Sequence, residues 1–494
     1  MSPGLIISII AVYFVVLILI AYFTSRGADS NTFFIANRQA PWYLVAFGMI
    51  GTSISGVTFI SVPGTVGIFS GGQLQAFSYF QIVLGYVAGY FVIATVLMPL
   101  YYRLNLISIY GYLEERFGFW AYKTGAAFFL LSRTVGSSLR LYLAAFVLQT
   151  FVFDHLNVPF FITVTVTILL IWIYTFKGGI KTIVWTDTFQ TFFLVSAVIV
   201  SVYVISRELG WNLKEMLIQV SNSDYSRVFF FDDFKSNNYF WKQFISGAFL
   251  AIVMTGLDQD LMQKNLSCKS LGDAQKNMFS FTIIMTIVNL LFLILGALLY
   301  IYTSQKGIEV PAQADRLFPT LAIEHFGFLV GIFFLLGIIA SSYASSDSAL
   351  AALTTSFCID FLNFKQKPEE MRQKQKTYVH IGFSGLFLLI ILFFREFHTD
   401  SVIKNVLTAA SYTYGPLLGL FSFGILSKRK LRDRFTPYVC VAAPILTFLL
   451  TSYSHKLLWG YKFSFETLIV NGIICYLGLF LISYGSNKEE QRFY

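Results

Sequence analysis

Apolar runs of about 20 residues recur along the whole chain, separated by short polar segments. A run of this length, wound as a helix, crosses the hydrocarbon core of a bilayer. We predict such helices over residues 4–23, 44–66, 76–100, 124–150, 159–176, 183–205, 241–258, 278–302, 328–358, 378–394, 402–426, 437–453 and 464–484. The pattern is typical of an all-α, polytopic membrane protein with about 13 transmembrane helices.

The composition excludes several classes of protein. Of the 494 residues, 56% are hydrophobic and only 12% are charged, whereas soluble domains carry about 25% charged residues. This deficit disfavours disordered, coiled-coil, disulfide-rich and nucleic-acid-binding proteins, which all need a polar exterior. The four cysteines are scattered, without a CxxC motif or a histidine pair, so we expect neither a zinc site nor a disulfide framework. The lipid bilayer is the partner that such a surface requires.

The net charge of +9 indicates orientation in the membrane rather than an acidic partner. Most loop lysines and arginines fall in alternate loops, the first of which holds Arg26 and Arg38. Because cytoplasmic loops carry the excess of basic residues, we expect the N-terminus outside and the C-terminus in the cytoplasm. The protein is therefore expected to be a multi-pass protein of the plasma (inner) membrane.

The second apolar segment is unusually rich in small and polar residues. Residues 47–67 read FGMIGTSISGVTFISVPGTVG, and a helix that faces lipid needs none of these hydroxyls and glycines. Small residues can serve close helix packing. A helix that breaks near Gly51–Gly56 and turns free carbonyls towards an ion or a solute explains their density better.

The ninth apolar segment carries a polar stripe with a carboxylate. At 3.6 residues per turn one narrow face is formed by Ser341, Ser345, Ser348, Ala352 and Thr355, and Asp347 flanks that face. An aspartate in mid-span costs at least about 2.5–3.5 kcal/mol and is functional by default. We therefore expect a cation-binding or solute-binding stripe on this helix.

Three further charged features leave alternatives open. Asp187 is either a functional acid or an N-terminal helix cap near the interface. Arg133 and Arg140 share one face of the fourth segment, where they either pair with Asp187 and Asp347 or meet an anionic substrate. The polar run at 254–277 marks either a membrane exit or part of a site.

Five motifs together resemble the sodium/solute symporter family. They are GTSISGVTFISVPG (51–64), MPLYYRLNLISIYGYLEERFG (98–118), TFKGGIKTIVWTDTFQ (175–190), TGLDQDLMQKNLSCKSLGDAQK (255–276) and ASSDSALAALTTSFCIDF (344–361). The resemblance implies a single transporter domain over residues 1–494 with a LeuT-like fold. Its expected parts are a leading helix at 4–23, a five-helix repeat at 44–205, an inverted repeat at 241–426 and two trailing helices within 437–484.

The resemblance also implies a sodium site between the broken helix and the ninth segment. The expected ligands are the carbonyls of Gly51, Ile54 and Ser341 and the hydroxyl of Ser345. Ala344 stands where the family has a second hydroxyl. Either Ser341 or water replaces that hydroxyl, or the register slips so that Ser341 and Ser342 form the pair.

Some family members bind a second sodium ion, and the matching positions are Asp187, Asp347 and Ser348. Asp347 stands in place of a hydroxyl, where it either strengthens the cation site or binds a proton. In the substrate cavity the matching positions are Ser55, Thr58, Tyr79 and Gln81, and the arginine that meets a substrate carboxylate falls near Arg133, with Arg140 as the other choice.

The resemblance predicts a sodium-coupled symporter, not an enzyme, that imports a small organic solute by alternating access. That solute would be a sugar, a sialic acid or other organic acid, or an amino acid. No obligatory protein partner is expected. A substrate-binding sensor or an uncoupled channel on the same fold is the alternative.

Overall fold

The computed structural model describes residues 3–70, 72–176, 178–362, 364, 367–397, 402–457, 461 and 463–485, and most of these are helical. The helices up to residue 221 are α1 (Pro3–Thr24), α2 (Ser30–Ile35), α3 (Trp42–Ser53), α4 (Gly56–Thr65), α5 (Tyr79–Val92), α6 (Met98–Arg103), α7 (Gly111–Arg116), α8 (Phe119–Leu148), α9 (Phe160–Thr175), α10 (Ile180–Glu208) and α11 (Leu213–Ser221).

The remaining helices are α12 (Phe240–Ala251), α13 (Gln259–Leu266), α14 (Leu271–Lys306), α15 (Leu317–Thr320), α16 (Gly327–Ser356), α17 (Glu369–Phe397), α18 (Val402–Thr413), α19 (Gly415–Leu426), α20 (Thr436–Leu457) and α21 (Thr467–Ile482). Two small antiparallel ribbons complete the fold, β1 (Phe69–Ser70) with β2 (Gln73–Leu74) and β3 (Lys430–Leu431) with β4 (Ser483–Tyr484).

Every apolar segment predicted from the sequence overlaps a helix or a helix pair. Within the described ranges, seven helices are long and apolar enough to cross a membrane, or nine if each of two bent pairs counts as one span. The prediction of a mostly helical protein with several candidate membrane spans is therefore confirmed. The count of about 13 spans and the division into repeats stay predictions.

The first bent pair lies where the small and polar residues cluster. Helices α3 and α4 meet at 62°, and the chain leaves the helical conformation at Ile54 (φ −84°, ψ 85°) and Ser55 (φ −71°, ψ 168°). The prediction of a break near Gly51–Gly56 is confirmed.

The second bent pair corrects the interpretation of 254–277 as a membrane exit. Helix α12 continues through a wider turn to Gly256, and α13 starts at Gln259 with a bend of 64° between them. All residues of α13 are buried, including Asp260 and Lys264. Lys264 therefore lies inside the protein next to an acid and not in a loop outside the membrane.

Helix α10 also corrects a sequence-based alternative. It begins at Ile180, where the preceding Gly179 adopts a positive φ of 50°. Asp187 lies two turns further on and is fully buried. Asp187 is therefore not an N-terminal cap.

Close backbone contact joins α5 to α12. A Cβ atom on Gly247 would collide with the carbonyl oxygen of Ile82, and one on Gly85 would collide with that of Phe244. The two glycines allow the helices to approach more closely than side chains would permit, as small residues do in membrane helix pairs. This contact matters because both helices supply walls of the central cavity described below.

We predict that Gly247→Ala destabilises the protein by about 1–3 kcal/mol, because the added methyl group must push two backbones apart. A lower melting temperature in detergent would show the effect. Gly382→Ala in α17 is the matched control, since a Cβ there meets nothing within 4 Å. An unchanged melting temperature for Gly247→Ala would contradict the close α5–α12 contact.

Candidate functional site

Helix α16 faces the break in the first bent pair. A Cβ atom on Gly51 would lie 3.5 Å from the Cβ of Ala344, and one on Gly56 would collide with the hydroxyl of Ser342. Ala344 therefore lies opposite Gly51. The Ser342 hydroxyl lies further along, beside the start of α4.

The break leaves carbonyl groups pointing out of the helix. The amide of Ile54 closes the last turn by donating to Ile50 at 2.7 Å, and Ser55 then leaves the helix. The last carbonyls of a helix have no intrahelical donor, so those of Gly51 and Ile54 are open to a cation. The second break differs, because the hydroxyls of Tyr101 and Tyr110 donate to the carbonyls of Gly256 and Leu257 at 2.9 and 3.0 Å.

The serine hydroxyls of α16 keep lone pairs available for a cation. Ser341 donates to the carbonyl of Ile338 at 3.1 Å, and Ser345 donates to that of Ser342 at 3.0 Å. A hydroxyl has one proton and two lone pairs, so donating backwards does not prevent it from binding a cation. Both serines are buried.

Asp187 has a partner that the sequence-based reasoning missed. The ammonium group of Lys264 donates to Asp187 Oδ2 and also contacts the hydroxyl of Thr52. Thr52 in turn donates to the same carboxylate oxygen at 3.0 Å. These three buried residues join α3, α10 and α13.

Asp347 lies in the same polar cluster and is bonded on one side only. Its Oδ2 accepts a hydrogen bond from the hydroxyl of Tyr174 at 2.8 Å. Within the described ranges, Asp347 Oδ1, Asp187 Oδ1 and both amide atoms of Gln190 are buried without a hydrogen-bond partner. The cluster therefore retains unused oxygen atoms, and the second sodium ion expected at Asp187, Asp347 and Ser348 stays a prediction.

Arg133 does not pair with Asp187 or Asp347, which corrects one sequence-based alternative. Its guanidinium donates to Asp260 and lies 3.8 Å from Asp258. The second bent pair brings these acids into the core, where Arg133 offsets their charge. The hydroxyl of Ser348 also donates to Asp260.

Arg140 lies two turns further along α8 and is half-buried. No hydrogen bond or ion pair to its guanidinium is present in the part of the chain that the structure describes. It lines a central cavity of about 100 Å³ together with Arg133, Ser55, Thr58 and Tyr79. Further lining comes from hydroxyl groups and apolar side chains, namely Thr52, Ser53, Val57, Tyr86, Tyr90, Leu250, Ala251, Met254, Thr255, Leu261, Met285 and Val406.

Gln81 does not line this cavity, contrary to expectation. Its amide nitrogen donates to the carbonyl of Asn238 at 2.8 Å, and its amide oxygen accepts from the amide of Phe230 at 3.2 Å. Both polar atoms therefore hold the 222–239 segment, and Gln81 is fully buried. A wider cavity of about 720 Å³ lies on this side of the protein and shares Tyr79 with the central one.

The residues that sequence reasoning missed come from distant parts of the chain. Lys264, Thr52, Tyr174 and Asp260 all contact predicted site residues. The signal for Lys264 and Asp260 was the polar run inside the fourth motif, which the competing interpretation assigned to a membrane exit. Among the described residues, no group of three or more histidine, cysteine or acidic side chains is arranged to hold a metal ion.

Solved structures with a similar fold are transporters. The chain superposes on a Na⁺-coupled sialic acid symporter, solved in a substrate-bound outward-open state, with a TM-score of 0.82 at 18% identity, covering 96% of this chain and 97% of that chain. It also superposes on Mhp1, a nucleobase-cation-symport-1 family transporter, with a TM-score of 0.54 at 14% identity, covering 92% and 94% of the two chains. These likenesses identify a LeuT-like transporter fold.

Sequence relatives are transporters as well. The sodium/sialic acid symporter NanT of Aliivibrio fischeri is 24% identical over 83% of this chain and 80% of its own length. The sodium-coupled monocarboxylate transporter 1 of Mus musculus is 26% identical over 82% of this chain and 66% of its own length. These relatives are not enzymes, which confirms the expectation of a transporter.

The family profile of the sodium:solute symporter family matches residues 33–433, which is most of the chain. The resemblance seen in the five motifs is confirmed, and the chain belongs to the sodium:solute symporter family.

Proposed function

We propose that the protein is a sodium-coupled symporter that imports a small organic acid by alternating access. The observation that carries this proposal is Arg140, a cation without an ion-pair partner among the described residues, at the wall of a small polar cavity beside the broken helix. An unpaired charge inside a membrane protein is costly and marks a substrate or ion pathway. A carboxylate on the substrate would supply the missing partner.

The two arginines have different electrostatic surroundings. Arg133 is already neutralised by Asp260 and Asp258, so a substrate carboxylate would have to compete with fixed acids. Arg140 feels the charge of Asp258 but makes no ion pair with an acid among the described residues, and a guanidinium binds a carboxylate through two parallel hydrogen bonds. Of the two residues considered from the sequence, Arg140 is therefore the better substrate ligand.

The rest of the cavity suits a short, partly apolar molecule. Ser55, Thr58 and Tyr79 offer hydroxyl groups, while Leu250 and Met254 offer apolar surface. A sugar without charge would use the hydroxyls but leave Arg140 unpaired. The names of the relatives, sialic acid symporters and monocarboxylate transporters, agree with an acid substrate.

The sodium ion would bind between the first break and α16. The open carbonyls of Gly51 and Ile54 provide oxygen ligands on one side. On the other side are the carbonyl of Ser341 and the hydroxyl of Ser345. Ala344 faces Gly51 and contributes no oxygen, so this chain has one hydroxyl ligand fewer than the family pattern.

The arrangement of the two bent pairs supports alternating access. Helices that break near the midplane occur at corresponding positions of inverted repeats, and one bundle rocks against the other around the site. With the predicted orientation, the wider cavity beside the 222–239 segment opens to the outside. Sodium entering down its gradient would drive the solute inwards.

Substrate binding tests this proposal in the purified protein. We expect small carboxylates to raise the melting temperature more in sodium than in potassium, because a coupled ligand binds more tightly when the ion is present. Sugars and amino acids belong in the same screen. Stabilisation by a neutral sugar alone would contradict the assignment of an acid, and binding without any uptake would favour the sensor alternative.

We predict that Arg140→Gln reduces uptake of the acid at least tenfold while the melting temperature stays near that of the wild type. The variant removes the substrate ligand but no ion pair. Uptake into proteoliposomes measures the first effect, and thermal unfolding measures the second. Normal uptake by Arg140→Gln would remove this residue from the substrate site.

The same substitution at Arg133 has a different expected outcome. Arg133→Gln leaves Asp258 and Asp260 buried without their cation, and breaking a buried pair costs about 3–5 kcal/mol. The melting temperature should therefore fall well below that of Arg140→Gln. Equal stability of the two variants would contradict the ion pairs of Arg133.

We predict opposite effects of two substitutions at the sodium site. Ser345→Ala removes a ligand and should lower sodium affinity, whereas Ala344→Ser restores the missing hydroxyl and should raise it. The sodium concentration that half-saturates the melting-temperature shift measures both. Ala349→Ser, which adds a hydroxyl to another face of the same helix, is the control. If Ala344→Ser and Ala349→Ser behave alike, the sodium ion does not bind beside Ala344.

A further inference from the structure

Three exposed cations lie close together in the sequence between α19 and α20. Lys430, Arg432 and Arg434 form what we call the ribbon surface, because the first of them belongs to β3. Within the described ranges none of the three makes an ion pair with an acid. We propose that the ribbon surface binds the anionic headgroup of a membrane phospholipid.

The first argument is the extended backbone of this segment. Strand β3 pairs with β4, with Leu431 opposite Ser483, and the amide of Arg432 continues the ladder by donating to the carbonyl of Ile482 at 3.2 Å. Leu431 is buried, and neighbouring residues of a strand point to opposite sides. Lys430 and Arg432 are therefore exposed together, about 6.6 Å apart along the strand. Two long basic side chains at this spacing can reach one phosphate group.

The second argument is the depth at which the cations lie. The side chains of Leu426 at the end of α19, Leu481 at the end of α21 and Tyr438 at the start of α20 are 73%, 83% and 72% exposed. Exposed apolar and tyrosine side chains at helix ends suit the boundary between acyl chains and headgroups. The cations adjoin this boundary. In the predicted orientation they face the cytoplasmic leaflet, which carries the anionic lipids.

The third argument is that the protein holds this segment in place. Both carboxylate oxygens of Asp433 are engaged, because they accept hydrogen bonds from the amides of Trp120 and Ala121 at 2.7 Å each, at the start of α8. Arg116 donates to the carbonyl of Arg429 at 3.2 Å. The acid nearest in sequence is thus bound to a helix end, and the cations are presented on a fixed backbone.

A second basic segment of the chain provides the contrast. At the start of α17, Lys374 pairs with Glu370 at 2.8 Å, and Arg372 lies 3.7 Å from Glu369. The charges there are largely balanced within the helix. Orientation in the membrane requires only that basic residues lie on one side. It does not explain why those of the ribbon surface are exposed on a rigid strand without acidic partners.

Thermal unfolding of the purified, full-length protein in detergent tests this inference. We expect phosphatidylglycerol, added to the micelles, to raise the melting temperature more than the same amount of phosphatidylcholine. Glycerol phosphate, which carries a phosphate but no acyl chains, should not reproduce the shift at equal concentration. The shift should weaken as salt is added, because salt screens exposed charges. The readout requires neither sodium nor a solute, so it is independent of the proposed function.

The variant that tests the location removes all three cations: Lys430→Gln, Arg432→Gln and Arg434→Gln. A basic residue near an anionic membrane surface contributes about fivefold in affinity. The triple variant should therefore need on the order of a hundredfold more phosphatidylglycerol for half of the melting-temperature shift. Its melting temperature without lipid should stay near that of the wild type, because the three side chains are exposed.

A matched control removes the same charge elsewhere on the side predicted to be cytoplasmic: Lys269→Gln, Lys276→Gln and Lys374→Gln. This variant should respond to phosphatidylglycerol like the wild type. If both triple variants lose the response equally, the lipid senses only the net charge, and the proposed site is wrong.

Other results would also overturn the inference. These are a wild-type protein that phosphatidylglycerol does not stabilise, a full response in the ribbon-surface variant, and an equal response to glycerol phosphate, which would assign the surface to free phosphate instead of lipid. If the triple variant does not fold, Arg432→Gln alone should lose about fivefold in affinity. No loss in that single variant would contradict the proposal.

Discussion

A helix that breaks inside a bilayer leaves backbone carbonyls that lipid cannot solvate, and the arrangement of this protein follows from how those carbonyls are used. At the second break, tyrosine hydroxyls donate to the carbonyls of Gly256 and Leu257. At the first break, the carbonyls of Gly51 and Ile54 have no donor among the described residues, and Gly51 faces α16, whose serine hydroxyls keep lone pairs. The second break is therefore internally capped, and the first remains suited to a cation.

Buried charges, like the free carbonyls, need partners that lipid cannot supply. Each charge in the core needs a partner, and the two bent pairs bring those partners together from distant parts of the sequence. Lys264 balances Asp187, and Arg133 balances Asp260. Arg140 is left at the cavity wall without such a partner among the described residues. The proposal of an acid substrate follows from this remaining charge.

Short-range sequence patterns predicted the break in the first helix pair and the polar face of α16. The density of glycine and hydroxyl residues indicated the break in the first pair, and the spacing of Ser341, Ser345 and Ser348 indicated one polar face of α16. Both depend only on neighbours within a few turns. The family motifs then supplied the expected sodium ligands, which stay predictions.

Pairings across the chain could not be predicted in this way. Lys264 and Asp187 are separated by 77 residues, and Arg133 and Asp260 by 127. Hydrophobic periodicity contains no information on which buried acid meets which base. From the sequence alone, the polar run at 254–277 was therefore compatible with a membrane exit. Gln81 was likewise compatible with a position in the cavity, but in the structure its amide group is bonded to Phe230 and Asn238 instead.

The central claim is that a sodium gradient drives a small carboxylate across the membrane. The most direct measurement is uptake of a radiolabelled carboxylate, chosen by its thermal stabilisation of the protein, into proteoliposomes containing the wild-type protein. With sodium outside only, we predict accumulation above the external concentration, and with equal sodium on both sides we predict equilibration without accumulation. Equal uptake under the two conditions, or uptake that does not require sodium, would contradict sodium-coupled symport.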